Sequence, residues 1–192
     1  VAAAVGVRDG RWGRAGGLCS AMVARMGEVG LALHPGKTKI VDCKANNLRG
    51  AAEHESFTFL GFTFRARSAR SKHGVIFASF LPGPSREALK AMGQRVRRWR
   101  IHLHTSSDLA DLARWMNPIV RGWIQYYGRF YRTGLYPLLK RINTYLMRWA
   151  RKKYRRLHGF KKAKAWWDAV CDRYPRGFAQ WEWTRGFMAT GW

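Results

Sequence analysis

The strongest chemical signature in the sequence is a set of cations without counterions. Between Asp111 and Asp168 there is no Asp or Glu, and the interval holds Arg114, Arg121, Arg129 and Arg132, then a dense series from Lys140 to Lys164. A solvated helix face ordinarily mixes both signs, which gains pair energy and limits repulsion. A face of one sign is relieved when phosphates neutralise it, and release of condensed counterions then supplies affinity that falls steeply with salt. The whole chain repeats the bias, because 36 Lys and Arg oppose 11 Asp and Glu in 192 residues, a formal charge of +25. Self-repulsion of that size calls for a polyanionic partner. The sequence has no run of eighteen apolar residues, and its basic stretches are crowded with bulky aromatics, so nucleic acid is favoured over a membrane.

Aromatic side chains interleave with these cations at Trp123, Tyr126, Tyr127, Tyr131, Tyr136, Tyr145, Trp149 and Tyr154. Stacking on unpaired bases is one use for them. Helical spacing assigns Trp123, Tyr127 and Trp149 to apolar stripes instead, which leaves Tyr126, beside Arg129, as the base-stacking candidate. No catalytic constellation emerges. Two-metal phosphoryl or nucleotidyl transfer needs clustered carboxylates, and the acids here are scattered singly. The stretch PGKTK at 35–39 lacks the glycine and the strand-loop-helix context of a phosphate loop. His102 and His104 have no Cys or carboxylate at ligand spacing, so no metal and no cofactor are expected. Cys19, Cys43 and Cys171 are too widely separated for a disulfide framework and fit a reducing compartment. The expected location is the bacterial cytoplasm, with an organelle as the alternative.

The elements that must position these groups divide into two kinds. Residues 1–17 are rich in Ala, Gly and Arg and are expected to be disordered or a fragment end. Leu18, Met22, Met26 and Val29 share a helical face that Gly30 should terminate, and Thr38 to Cys43 alternate as a strand after the Pro35-Gly36 turn. A polar loop occupies 44–55. FTFLGFTFRA at 57–66 and GVIFASFL at 74–81 have the composition of an antiparallel hairpin, with a slip in alternation near Gly61 that implies a bulge. LPGPS at 81–85 then marks a linker and the domain boundary, because its prolines and glycine exclude helix and central strand.

Beyond Ser85 the pattern is helical. Ser85 caps a helix with Leu89, Met92, Val96 and Trp99 inward. Ser107 and Asp108 open a second, and Asn117-Pro118 restart it as cap and first position, with Ile119, Trp123, Tyr127 and Phe130 inward. A long helix at 137–157 buries Leu139, Ile142, Leu146 and Trp149. A fourth at 161–172 buries Trp166 and Val170, and FAQWEW at 178–183 is a strand or an extended aromatic strap.

GLALHPGKTKIV, FTFLGFTF and NPIVRGWIQYYGRF, with a long basic helix after them, resemble in order the last palm blocks and the maturase-specific thumb of group II intron reverse transcriptases. The resemblance runs from about residue 22 to the end. It implies an α+β fold in which 18–84 form a palm remnant, a small antiparallel β hairpin with its flanking helix and strand. Residues 85–192 then form a mostly α-helical thumb bundle. VRDGRWGRAGG stands before Gly30, where the family's Tyr-Ala-Asp-Asp motif is expected nearby, so the polymerase aspartates are expected to be missing. Lys37 would be a relic of a nucleotide-binding palm block.

The resemblance further implies that the chain binds group II intron RNA and assists its splicing without catalysis. Arg121, Gly122, Trp123 and Tyr127 match the maturase motif, with Gly122 permitting close helix approach and Trp123 and Tyr127 anchoring the packing. Arg121, Arg129, Arg132, Lys140, Arg141, Arg148, Arg151, Lys152, Lys153, Arg155, Arg156, Lys161 and Lys162 would hold phosphates, and Tyr126 a base. These contacts position RNA and do not read its sequence. Two alternatives remain. One is a part of an RNA-directed DNA polymerase completed by a complementary chain. The other is a basic structural RNA-binding protein, which the ten Trp disfavour.

Overall fold

The structure, a computed structural model, describes residues 3–7, 12–34, 38–42, 55–71 and 73–187. Lys37 and nearly all of the loop expected at 44–55 lie outside the described residues. The chain divides into two compact units, residues 1–82 and 83–192. With strands ahead of a helical bundle, the fold is α+β.

In the first unit, strand β1 (Ala3–Val7) pairs in parallel with β2 (Thr38–Asp42), in register from Ala3 opposite Thr38 to Val7 opposite Asp42. Parallel strands need a crossover, and helix α1 (Trp12–Glu28) supplies it. Within the stretch 1–17, expected to be disordered or a fragment end, residues 3–7 are strand and 12–17 are helix. A strand whose partner lies over thirty residues away shows little local signal, and α1 starts early because the small Ala15 is buried against Met22 and Ile40. Gly30 ends the helix as expected: at φ +71° it lets Leu31 N–H reach Met26 O (2.9 Å) and its own N–H reach Gly27 O (3.1 Å).

The expected hairpin is a three-stranded antiparallel sheet, β3 (Ser56–Phe59), β4 (Phe62–Arg70) and β5 (Ile76–Pro84), paired in that order. The slip near Gly61 is a reversal, not a bulge. Leu60 (φ 48°) and Gly61 (φ 78°) both take left-handed backbone, as a type I′ two-residue turn demands, and Phe59 pairs with Phe62 across it. Phe57 and Phe64 face each other as a cross-strand pair with rings stacked 4.6 Å apart. The run expected as a pure linker also changes, since β5 continues through Pro82 to Pro84. Proline is compatible with a strand that leaves its nitrogen outside the ladder, and β5 lies at the edge of this sheet.

The second unit is four helices around one apolar core: α2 (Arg86–Arg98), α3 (Leu109–Tyr127), α4 (Tyr136–Lys153) and α5 (Phe160–Arg173), joined by short 3-10 turns. Ser85 caps α2 by accepting the Ala88 N–H at 3.1 Å. Asp108 caps α3 in a reciprocal box with Asp111, whose carboxyl is held below its usual range by the Asp108 backbone N–H and by Arg114. Helix α4 runs through the middle, packed against α2, α5 and three 3-10 turns. Its Leu139, Ile142, Leu146 and Trp149 are fully buried, as their spacing predicts, and the Trp149 indole donates to His104 O at 2.7 Å. On α5 the buried stripe is Ala163, Trp167 and Cys171, whereas Trp166 and Val170 are half-buried. The expected stripe is off by one residue, because the helix meets the core along the small Ala163. Burial pushes the Cys171 thiol up to about 12, so it serves as an apolar filler.

Two further expectations on α3 are corrected. The helix does not restart at Asn117-Pro118 but runs through Pro118, which with Arg114 faces solvent, where water can satisfy the carbonyl the ring leaves unpaired. Asn117 is freed from capping for another task. Its amide accepts the Ala179 N–H (2.8 Å) and donates to Gly177 O (3.0 Å). Asn143 on α4, fully buried, donates to Thr184 O (3.0 Å) and Gly186 O (2.8 Å) and accepts from Gln180 Nε2 (3.1 Å). The Trp167 indole adds a bond to Arg185 O at 2.8 Å. The aromatic tail is thus a 3-10 turn (Ala179–Glu182) followed by a strap, pinned by amides that imitate a neighbouring strand. Asn143→Ala should remove the donor from the Thr184 and Gly186 carbonyls and the acceptor from the buried Gln180 amide, and destabilise the unit by about 2–4 kcal/mol in urea denaturation. An unchanged midpoint would show that the strap holds without it.

Candidate nucleic-acid interface

The outer face of α4 gathers the cations that the acid-free span only enumerated. At roughly 100° per residue, Lys140, Arg141, Arg148, Arg151 and Lys152 fall within an arc of about 120°, opposite the buried stripe. Lys140, Arg141, Arg148 and Lys152 are exposed, and among the described residues none of them is ion-paired to a carboxylate. The five ion pairs seen among the described residues all lie elsewhere. Sequence decides this in the plainest way, since no acid exists within reach along the helix.

At the C-terminal end of α4 the face folds into a cleft lined by Arg151, Lys152, Arg155 and His158. Arg151 is held in place by two bonds to His158 O, 3.1 Å from Nε and 2.7 Å from Nη2. A guanidinium anchored on one edge keeps its remaining donors in a fixed fork, the geometry that suits phosphate oxygens. Cations here also offset the negative end of the helix dipole, so their repulsion in the unliganded protein is partly relieved.

Other predicted contacts are distributed differently. Lys153 belongs to the opposite side: its ammonium bonds Ser107 O at 2.5 Å and lies 5.4 Å from the Trp149 ring centroid, so it braces the core and is removed from the phosphate set. Arg132 lies 4.2 Å over Trp183, tied to the strap. Arg121 is exposed on the solvent side of α3, Arg129 is exposed just past that helix, and Lys161 and Lys162 are exposed in the first turn of α5. Among the described residues no contact joins Arg121, Arg129, Lys161 or Lys162 to the cleft. Arg155 and Arg156 follow α4 directly, in its flanking 3-10 turn, and both are exposed.

The maturase-motif residues also separate. Trp123 is half-buried and stacks on Trp99 with centroids 5.7 Å apart, and Tyr127 packs on the core, where burial pushes its phenol pKa up. Tyr126 is exposed and meets Tyr127 edge-on at 4.8 Å. Phe130, expected inward, is exposed, because α3 ends at Tyr127 and the helical phase no longer applies. Gly122 does not mediate close approach, since a Cβ there would meet nothing within 4 Å. Glycines that do include Gly128, where an added Cβ would stand 2.2 Å from the Trp183 ring, and Gly93, where it would stand 3.0 Å from Arg141 Nη1. Gly93 brings α2 against α4 beside the basic face, and Lys90 and Arg97, exposed on α2, flank that seam. Sequence reasoning passed over this extension; its signal was a glycine set among good helix formers, which only a close contact repays.

Residues 89–167 match the family model of the group II intron, maturase-specific domain. No curated protein and no solved structure matches the chain. The match takes in most of α2, all of α3 and α4, and the cleft, and it stops at Trp167 ahead of the strap.

Proposed function

The chain carries a group II intron maturase-specific domain and is maturase-related, and from that premise we propose that it binds group II intron RNA and assists its splicing. The observation that carries the reading is the outer face of α4, with its cations in one arc, Lys140, Arg141, Arg148 and Lys152 without a carboxylate partner among the described residues, and a cleft of Arg151, Lys152, Arg155 and His158 at its end. Such a surface holds sugar-phosphate backbone by position and charge, and the rigid apolar core behind it keeps the spacing fixed. The role is to stabilise a fold of the RNA: a cationic protein that binds the compact form more tightly than the open one shifts that equilibrium by its difference in affinity.

The test is a salt titration of binding to a group II intron transcript. If the five α4 cations each neutralise a phosphate, log K should fall with log salt at a slope of roughly −4 to −5. In parallel, the protein should accelerate splicing of that transcript at limiting Mg²⁺. A slope near zero would remove the phosphate surface, and tight binding without faster splicing would remove the assisting role.

A further inference from the structure

Next to the basic cleft lies a cavity of about 670 Å³ whose walls include Ala110, Ala113, Tyr154, Tyr174, Phe178 and Trp181. Three features point to its occupant. The walls are aromatic and apolar, with Tyr154, Tyr174, Phe178 and the almost wholly buried Trp181 among them. Cations flank two of the aromatic walls, Arg156 5.9 Å from the Tyr154 ring and Arg173 5.6 Å from the Tyr174 ring, while Arg114 and Asp108 both line the cavity. The acids at this end are engaged, Asp108 by the Asp111 N–H and Asp111 by Arg114 at 3.1 Å. Finally, Tyr154 directly precedes Arg155 of the basic cleft, so the cavity and the cleft meet in the same turn of chain.

On the RNA-binding reading above, we infer that this cavity receives one unpaired nucleobase of the RNA whose phosphates lie on the α4 face. The base stacks against Tyr154 and Tyr174. Phosphates on either side of the flipped nucleotide meet Arg156 and Arg173. An unpaired base has both faces free for such contacts, whereas a base within a duplex does not.

The test compares two single-stranded probes of equal charge on the full chain, a twelve-residue oligoadenylate and a twelve-unit abasic ribose-phosphate oligomer. Wild type should bind the oligoadenylate about tenfold more tightly, the effect of one stacked base. Ala110→Trp fills the cavity from an exposed position in the first turn of α3. It should abolish that preference while leaving abasic binding unchanged. Tyr174→Ala, at an exposed wall, should reduce the preference without filling anything, which guards against a folding defect in the first variant. Equal affinity of wild type for both probes, or a preference that survives Ala110→Trp, assigns the cavity to some other occupant and overturns the inference while the phosphate surface stands. Failure to bind either probe overturns both readings.

Discussion

Replacing Arg148, Lys152 and Arg155 together with glutamate is expected to lower affinity for intron RNA by at least about a hundredfold at 0.15 M salt. Each phosphate contact contributes roughly 0.7 of a decade at that ionic strength through counterion release, so losing three removes about two decades before any new repulsion is counted. The salt slope should become shallower by about 2.7 in the same titration. All three side chains are exposed, none is ion-paired among the described residues, and the fold should keep its melting temperature or gain slightly as like charges are thinned. Arg151 is left in place because its bonds to His158 O make it part of the local structure. The neutral glutamine triple should fall between. An RNA affinity within threefold of wild type, with the fold intact, would sink the claim that this face is the RNA surface.

The largest effect on stability is expected at Trp149. It is fully buried near the C-terminal end of α4, meets Tyr154 edge-on at 6.1 Å, carries Lys153 over its ring, and donates to His104 O at 2.7 Å. Trp149→Ala removes the largest side chain in that layer and takes one of two donors from the His104 carbonyl, which keeps the Ser107 N–H at 3.2 Å. The loss should be about 3–5 kcal/mol, most of it the cavity left in the core. Since domains are stable by only about 5–15 kcal/mol, much of the protein should be unfolded at 37 °C. Trp149→Phe keeps most of the volume and should lose about 1–2 kcal/mol, which separates packing from the hydrogen bond. Chemical denaturation followed by circular dichroism reads both, and an alanine variant that unfolds at the wild-type midpoint would mean that the α4 stripe is not the core.

These two residue sets illustrate different kinds of legibility. The α4 stripe was readable because Leu139, Ile142, Leu146 and Trp149 recur at helical intervals, and the period alone fixes which side faces inward. The same period, continued past Tyr127 or begun one residue early on α5, gave Phe130 and Trp166 the wrong environment. Periodicity reports a face only while the helix lasts, and it cannot say where a neighbour's small residue draws the seam. Side-chain hydrogen bonds over long separations were invisible. Asn117 looked like a cap because Asn before Pro usually is one, yet its partners lie sixty residues away at Gly177 and Ala179. Gly122 and Gly128 are equally plausible in sequence as contact points, and only the position of the Trp183 ring distinguishes them.

By itself the sequence determined the sign of the surface, the helical character of residues beyond Ser85 and the buried stripe of α4, because charge and amphipathic period are local properties of the chain. Tertiary structure decided which cations share a face, which ones are spent on bracing the core, and that a cavity lined by aromatic rings opens beside them. Those facts depend on which helices meet and at what distance, and packing sets that through contacts between residues far apart in sequence.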